Sequence, residues 1–215
     1  MTEASLTLAS LPLFPLGTVL FPGGLLPLRV FEVRYLDLMR RCHAAQAPFG
    51  VVTLSRGSEV RVAGAPEEQF ESVGTLAHIT AFESVQPGLL SVQCHGEQRF
   101  RIGHTHRLKH GLWVADVTLL PADAEVPIPD DLNHTARALR QVLQRLRERD
   151  PAAPLPRPDA GRYADCAWVA NRWGELLPVP TRLKQRLMSL DNPLLRLELV
   201  ADLLAKSGIG DEAAG

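Results

Sequence analysis

Four histidines, His95, His104, His106 and His110, lie close together in this chain, and His104-x-His106 is the spacing at which alternate residues of a strand share a face. Two imidazoles so placed could ligate a transition metal, but the surrounding spacing fits no known ligand set. They read instead as surface or edge-strand histidines. Carried on from Phe100, the strand register would turn His104 and His106 inward unless a bulge or strand end intervenes. Five arginines, Arg137, Arg140, Arg145, Arg147 and Arg149, crowd one stretch that could attract nucleic acid. Acidic Asp130, Asp131, Glu148 and Asp150 flank them, and no aromatic residue interleaves to stack bases, so the stretch reads as a solvated helix face. Phosphate chemistry of the glycine-rich-loop type needs a lysine directly after glycine, whereas Lys109, Lys184 and Lys206 follow Leu108, Leu183 and Ala205. There is no GxSxG elbow and no HExxH pair. The expectation is a protein that binds rather than one that breaks bonds, with no cofactor and no metal.

Binding chemistry is better represented. Phe14, Phe21, Phe31, Tyr35 and Phe100 could line a peptide groove. Phe14, Phe31 and Phe100 are assigned to core. Phe21, between Leu20 and Pro22 in a Pro/Gly-rich loop, is the better surface anchor. Arg34 is expected to make a structural ion pair or to bond loop carbonyls. Trp168 and Trp173 are five apart on a helix and cannot share one face cleanly, so one is expected in the core and the other in the crevice between barrel and bundle, where ligands tend to bind. The candidate protein-binding residues are therefore Leu20, Phe21, Pro22, Arg34, Trp168 and Trp173.

These residues must be held by recognisable elements. Leu11 to Phe14 and Leu25 to Val30 read as strands joined by a Gly/Pro loop. Glu32 to Ala45 is a one-faced helix with Val33, Leu36, Met39 and Cys42 inward. Phe49 to Leu54 is a strand, and Ser55 to Ser72 a charged surface loop or hairpin. In LLSVQCH, Leu90, Val92 and Cys94 alternate with Ser91, Gln93 and His95, the period of a half-buried strand. Turns are expected at Gln86-Pro87-Gly88, Gly96-Glu97 and His110-Gly111. Phe100 and Ile102 then face inward, as do Trp113, Ala115, Val117 and Leu119. Sequential strands with tight turns predict a mostly antiparallel, barrel-like sheet over residues 10–121.

At Pro121 the composition changes. Residues 122–131 read as a linker, 132–207 as a helical bundle and 208–215 as a disordered tail. Asp131 or Asn133 is expected to cap a helix running to about Arg149 with Leu139, Val142, Leu143 and Leu146 inward. Further helices span Tyr163–Leu177, Thr181–Leu190 and Pro193–Lys206, with Asn192 capping the last and Gly208 ending it.

The chain has 215 residues, 46% of them hydrophobic and 22% charged, with a net charge of −1. Such a chain can bury a substantial core and has no overall electrostatic reason to seek nucleic acid or an anionic membrane. The uncharged run from Ala4 to Leu28 lacks the basic start of an export signal, and its Pro12, Pro15, Pro22 and Pro27 oppose a membrane helix. Cys42, Cys94 and Cys166, odd in number and widely spaced, suit buried, reduced thiols in the cytoplasm.

PLFPLGTVLFPGGLLPLRVFEVRYLDLMR resembles the opening of the N-terminal domain of Lon-type ATP-dependent proteases and of the small bacterial proteins made of that domain alone. Gly74-Thr75-Leu76-Ala77, Gly96, Arg99-Phe100-Arg101, Lys184-Gln185 and Leu190-Asp191 follow in the family order, so the likeness covers about residues 10 to 206. Val33 departs from it, standing where the family usually has proline. The resemblance implies a PUA-like pseudo-barrel of about six strands with one helix, then a helical bundle: an α+β fold. It also implies recognition of unfolded or partner proteins and peptides, without the ATPase or the Ser–Lys dyad of the longer relatives. An RNA- or nucleotide-binding pseudo-barrel is the alternative, and a homo-oligomer is left open.

Overall fold

The structure, a computed structural model, describes residues 6–59, 67–156 and 160–207. Gly208 and the tail expected at residues 208–215 lie outside these. The chain divides into two compact units, one ending at Ala122 and one beginning at Asp123.

The first unit contains strands β1 (Thr7–Leu16), β2 (Leu25–Val30), β3 (Phe49–Arg56), β4 (Gln69–Phe70), β5 (Val73–Gln86), β6 (Leu89–Arg107) and β7 (Trp113–Leu119), with helix α1 (Val33–Ala45). They form one seven-stranded sheet in the order β1-β7-β6-β5-β3-β4, which β1 closes into a ring by pairing with β3. Every pairing is antiparallel except β1 with β3, in register Leu13 to Gly50. The expected strand count was about six. The extra strand is two-residue β4, inside the stretch read as a surface loop or hairpin, and its antiparallel pairing with β3 makes it the hairpin.

One expected turn is absent. Gly96-Glu97 does not end a strand, because β6 runs unbroken from Leu89 to Arg107. Thr75 pairs with Arg99 and Ala77 with Gly96, so Glu97 and Gln98 oppose Leu76 alone. This is a β-bulge, which bends the strand and increases its twist. Before the bulge β6 pairs with β2, through Leu90 to His95; beyond it β6 pairs with β7, from Phe100 onward. Since β5 occupies the other edge, β2 and β7 share one side of β6 and diverge at the bend. Gly96 is glycine because a Cβ there would lie 2.3 Å from the Phe21 carbonyl oxygen.

Two apolar clusters fill the unit. Leu11, Leu13, Val52, Leu76, Phe100, Ala115 and Val117 form one inside the ring. The other gathers Phe14, Val30, Phe49, Leu90, Val92 and Cys94 with the buried face of α1. That face is Tyr35, Leu36, Leu38, Met39 and Cys42, with Arg34 also buried. Val33, expected inward, is 75% exposed. At about 100° per residue, Val33 lies about 120° around the helix from Met39, whereas Tyr35 lies within about 40° of it.

The second unit holds α2 (Asn133–Arg149), α3 (Cys166–Leu176), α4 (Thr181–Ser189) and α5 (Pro193–Ser207). As expected, the Asn192 side chain caps α5, accepting from the N–H groups of Leu194 at 3.0 Å and Leu195 at 3.2 Å. Neither Asp131 nor Asn133 caps α2, because a 3₁₀ turn over Asp130–Leu132 leads directly into it. The helix expected from Tyr163 begins at Cys166, where Asp165 accepts from the N–H groups of Ala167 and Trp168. Asp165 also accepts from Val126 N–H, and Cys166 N–H donates to the Val126 carbonyl. The segment read as a linker is thereby tied to the helices. A buried cation tightens the tie. Arg196, fully buried, donates to both carboxylate oxygens of Asp123 at 2.7 and 2.9 Å, to Asn171 at 2.7 Å, and to the Leu190 carbonyl.

Candidate functional site

The end of β1 and the free side of β2 do not meet. Between them lies a groove of about 280 Å³. Phe14, Pro15, Leu16 and Thr18 line it from the β1 side, and Leu26 to Glu32 from β2 and the turn that follows. Tyr35 of α1 and Glu59, just beyond β3, complete it. The alternation of β2 explains its character. Val30 is 2% exposed and points to the core, so Phe31, the next residue, points out and is 55% exposed.

The groove is apolar with three charges on its rim. Glu32 accepts from Arg34 Nε at 3.1 Å, and Glu59 accepts from the Gly17 N–H at 2.6 Å. The third is Arg29, which is exposed and has no ion-pair partner among the described residues. Arg34 is a structural centre, as expected. It also donates to the Gly111 carbonyl at 3.0 Å and to Glu68 at 3.1 Å, while Glu68 accepts from the Trp113 indole at 2.7 Å. Its guanidinium lies 4.5 Å from the centre of the Tyr35 ring. Arg34 therefore fixes Glu32 and the start of α1, and is too buried to contact a ligand itself.

The other candidates fall elsewhere. Leu20 and Phe21 are buried, Phe21 completely, which overturns its reading as a surface anchor. The loop is pinned to β6: Gly23 N–H donates to Gly96 at 2.7 Å, Gly96 N–H to Gly24 at 2.8 Å, and Gly24 N–H to Phe21 at 3.0 Å. Pro22 is half-buried. Phe31 makes the opposite correction, from expected core to exposed rim. Trp173 is core in the second unit, its indole donating to the Thr135 carbonyl at 3.0 Å, and Trp168 is half-buried.

Long-range packing also brings together what the sequence keeps apart. The Arg140 guanidinium sits 4.6 Å over the Tyr163 ring, which meets Trp168 edge-on at 5.0 Å, and Arg172 lies 5.8 Å from Trp168. The arginine-rich helix thus does have aromatic neighbours, each already faced by an arginine. His104 and His106 stand with ring centres 6.3 Å apart on exposed positions, because a register shift between Ile102 and Thr105 breaks the inward register. Among the described residues no group of three or more His, Cys, Asp or Glu side chains could hold a metal ion, and no helix is long and apolar enough to cross a membrane.

The thiols are buried. Burial pushes Cys94 up to about 12, with Cys42 adding to the effect, and burial followed by the Asp165 charge pushes Cys166 up to about 11. The groove itself offers apolar surface and, among the described residues, one cation without an ion-pair partner, Arg29.

Comparison with known proteins shows the family and the fold. The chain is 31% identical to a Lon N-terminal domain protein from Xanthomonas campestris, with a TM-score of 0.68 over 91% of this chain and 98% of that one. The N-terminal domain of Lon protease from the Mycobacterium avium complex, 20% identical with a TM-score of 0.58 over 91% and 98% of the two chains, agrees in fold. Against Lon protease of Anaeromyxobacter dehalogenans (strain 2CP-C) the identity is 27% over 206 residues, which is 91% of this chain and 23% of that protein. The chain therefore spans about a quarter of the length of that relative. The family described as the ATP-dependent protease La (Lon) substrate-binding domain matches residues 10–206, and the chain belongs to it.

Proposed function

We propose that the chain is a non-enzymatic protein-binding module that holds unfolded or partner polypeptides in the groove between β1 and β2. The observation that carries this reading is the exposed Phe31 on the rim of an apolar groove, in a chain of a substrate-binding domain family. An aromatic side chain beside a pocket is the kind of anchor that dominates protein–protein contacts. Leu28 and Pro27 would add apolar contact, while Arg34, Leu20 and Phe21 would act by shaping the site. The three buried free thiols suit a reducing compartment, which supports a cytoplasmic location.

Binding of a fluorescein-labelled, reduced and carboxymethylated protein, followed by anisotropy, tests the reading. Wild type should bind, and Phe31→Ser should weaken binding roughly tenfold, the loss of about 1.4 kcal/mol. No binding by wild type, or equal binding by both proteins, would overturn it.

A further inference from the structure

Strand β2 stands outside the closed ring, pairing with β6 and, among the described residues, with nothing on its other edge. The register shows which backbone groups face that open edge. Gly96 N–H donates to the Gly24 carbonyl at 2.8 Å, so the even-numbered residues from Gly24 to Val30 direct their polar backbone groups to β6. The period of two leaves Leu25, Pro27 and Arg29 facing away. Pro27 agrees independently, since a proline is tolerated in a strand where its nitrogen faces an unpaired edge. This edge forms one wall of the groove, which Leu26 to Val30 line.

We propose that the groove takes its occupant as an added β-strand: an extended client segment running along the open edge of β2. An apolar side chain of the segment enters between β1 and β2, and an acidic side chain pairs with Arg29. The proposal rests on the protein-binding reading above and adds its mode. Charge complementarity supports the acidic residue, because Glu32 and Glu59 are already engaged by Arg34 and the Gly17 N–H, leaving Arg29 as the charge on the rim with no ion-pair partner among the described residues. The edge offers N–H groups at Leu25 and Arg29 and carbonyls at Leu25, Pro27 and Arg29. Those five groups can guide one strand, and a folded helical surface could not satisfy them. Main-chain pairing is indifferent to side chains, so this mode suits clients that share extendedness rather than sequence.

The test uses the full chain and fluorescein-labelled decapeptides of alternating valine and serine with a central phenylalanine and an aspartate two positions on. Two further peptides carry N-methyl groups on alternate residues, one on each backbone edge. The parent peptide should bind, N-methylation of one edge should weaken it at least tenfold, and N-methylation of the other edge should change it less than twofold. Arg29→Glu, at an exposed position, should weaken the aspartate peptide about fivefold and favour a lysine-substituted peptide instead. Equal binding by both N-methylated peptides would overturn strand addition, as would doubling of the molecular mass through β2, the sign of a second copy of the chain on that edge. If the carboxymethylated protein binds while either of those results is obtained, only the strand mode falls. If neither it nor any peptide binds, the protein-binding reading falls with it.

Discussion

At the scale of single residues, Arg34 and the cysteines make distinct demands. Arg34 uses three different nitrogens on three different acceptors, Glu32, Gly111 and Glu68, with its side chain 6% exposed. Arg34→Ala leaves two carboxylates near the core unpaired and should destabilise the protein by about 3 kcal/mol in urea denaturation. Arg34→Lys should recover only part of that, because one ammonium cannot reproduce the planar fork. An alanine variant as stable as wild type would refute this role. With the Cys94 and Cys166 thiols raised to about 12 and about 11, almost no thiolate exists at pH 8. Native protein should therefore leave a thiol-specific disulfide reagent unreacted, and all three cysteines should react once guanidinium unfolds the chain. Side-chain direction was readable where a regular strand carried it, as in Leu90, Val92 and Cys94. It was misread at Phe21 and Phe31, since one depends on a loop bonded to Gly96 and the other on the exact residue where β2 gives way to helix.

At the scale of elements, the bulge at Glu97-Gln98 is the central device. It converts what resembles a turn into a bend at which β2 and β7 diverge; β1, which pairs with β7 as far as Pro12, pairs with β3 from Leu13 onward, and among the described residues the outer edge of β2 has no strand partner. Gly96→Ala would press a Cβ against the Phe21 carbonyl at 2.3 Å, a backbone atom with no flexible side chain to yield. We expect it to cost about 2 kcal/mol or more by thermal denaturation and to weaken peptide binding, because the loop before β2 must move. An alanine variant with unchanged stability would show that the close approach is not needed. The elements themselves were legible: period-two strands, helices of 3.6-residue period and the Asn192 cap all follow from local chemistry. Their partners were not. The parallel β1–β3 closure joins residues far apart in the chain, and nothing local distinguishes a glycine of a turn from a glycine under a crossing loop.

At the scale of the whole molecule, the chain combines a sheet unit and a helical unit, each with its own core. Residues 123–131 are tied to the helices at Asp123 by Arg196, 73 positions away, and at Val126 by Asp165 and Cys166, about 40 positions away, partners invisible to any local pattern. Family membership was legible from the motifs around Leu13 and Phe31, whereas the contact surface was not, since it arises from a gap between strands. Hydrogen–deuterium exchange of the full chain with and without a carboxymethylated client tests the central claim most directly. Added protection is expected only at residues 25–32, the open edge and rim of the groove. Protection centred instead on α2, or none at saturating client, would contradict it.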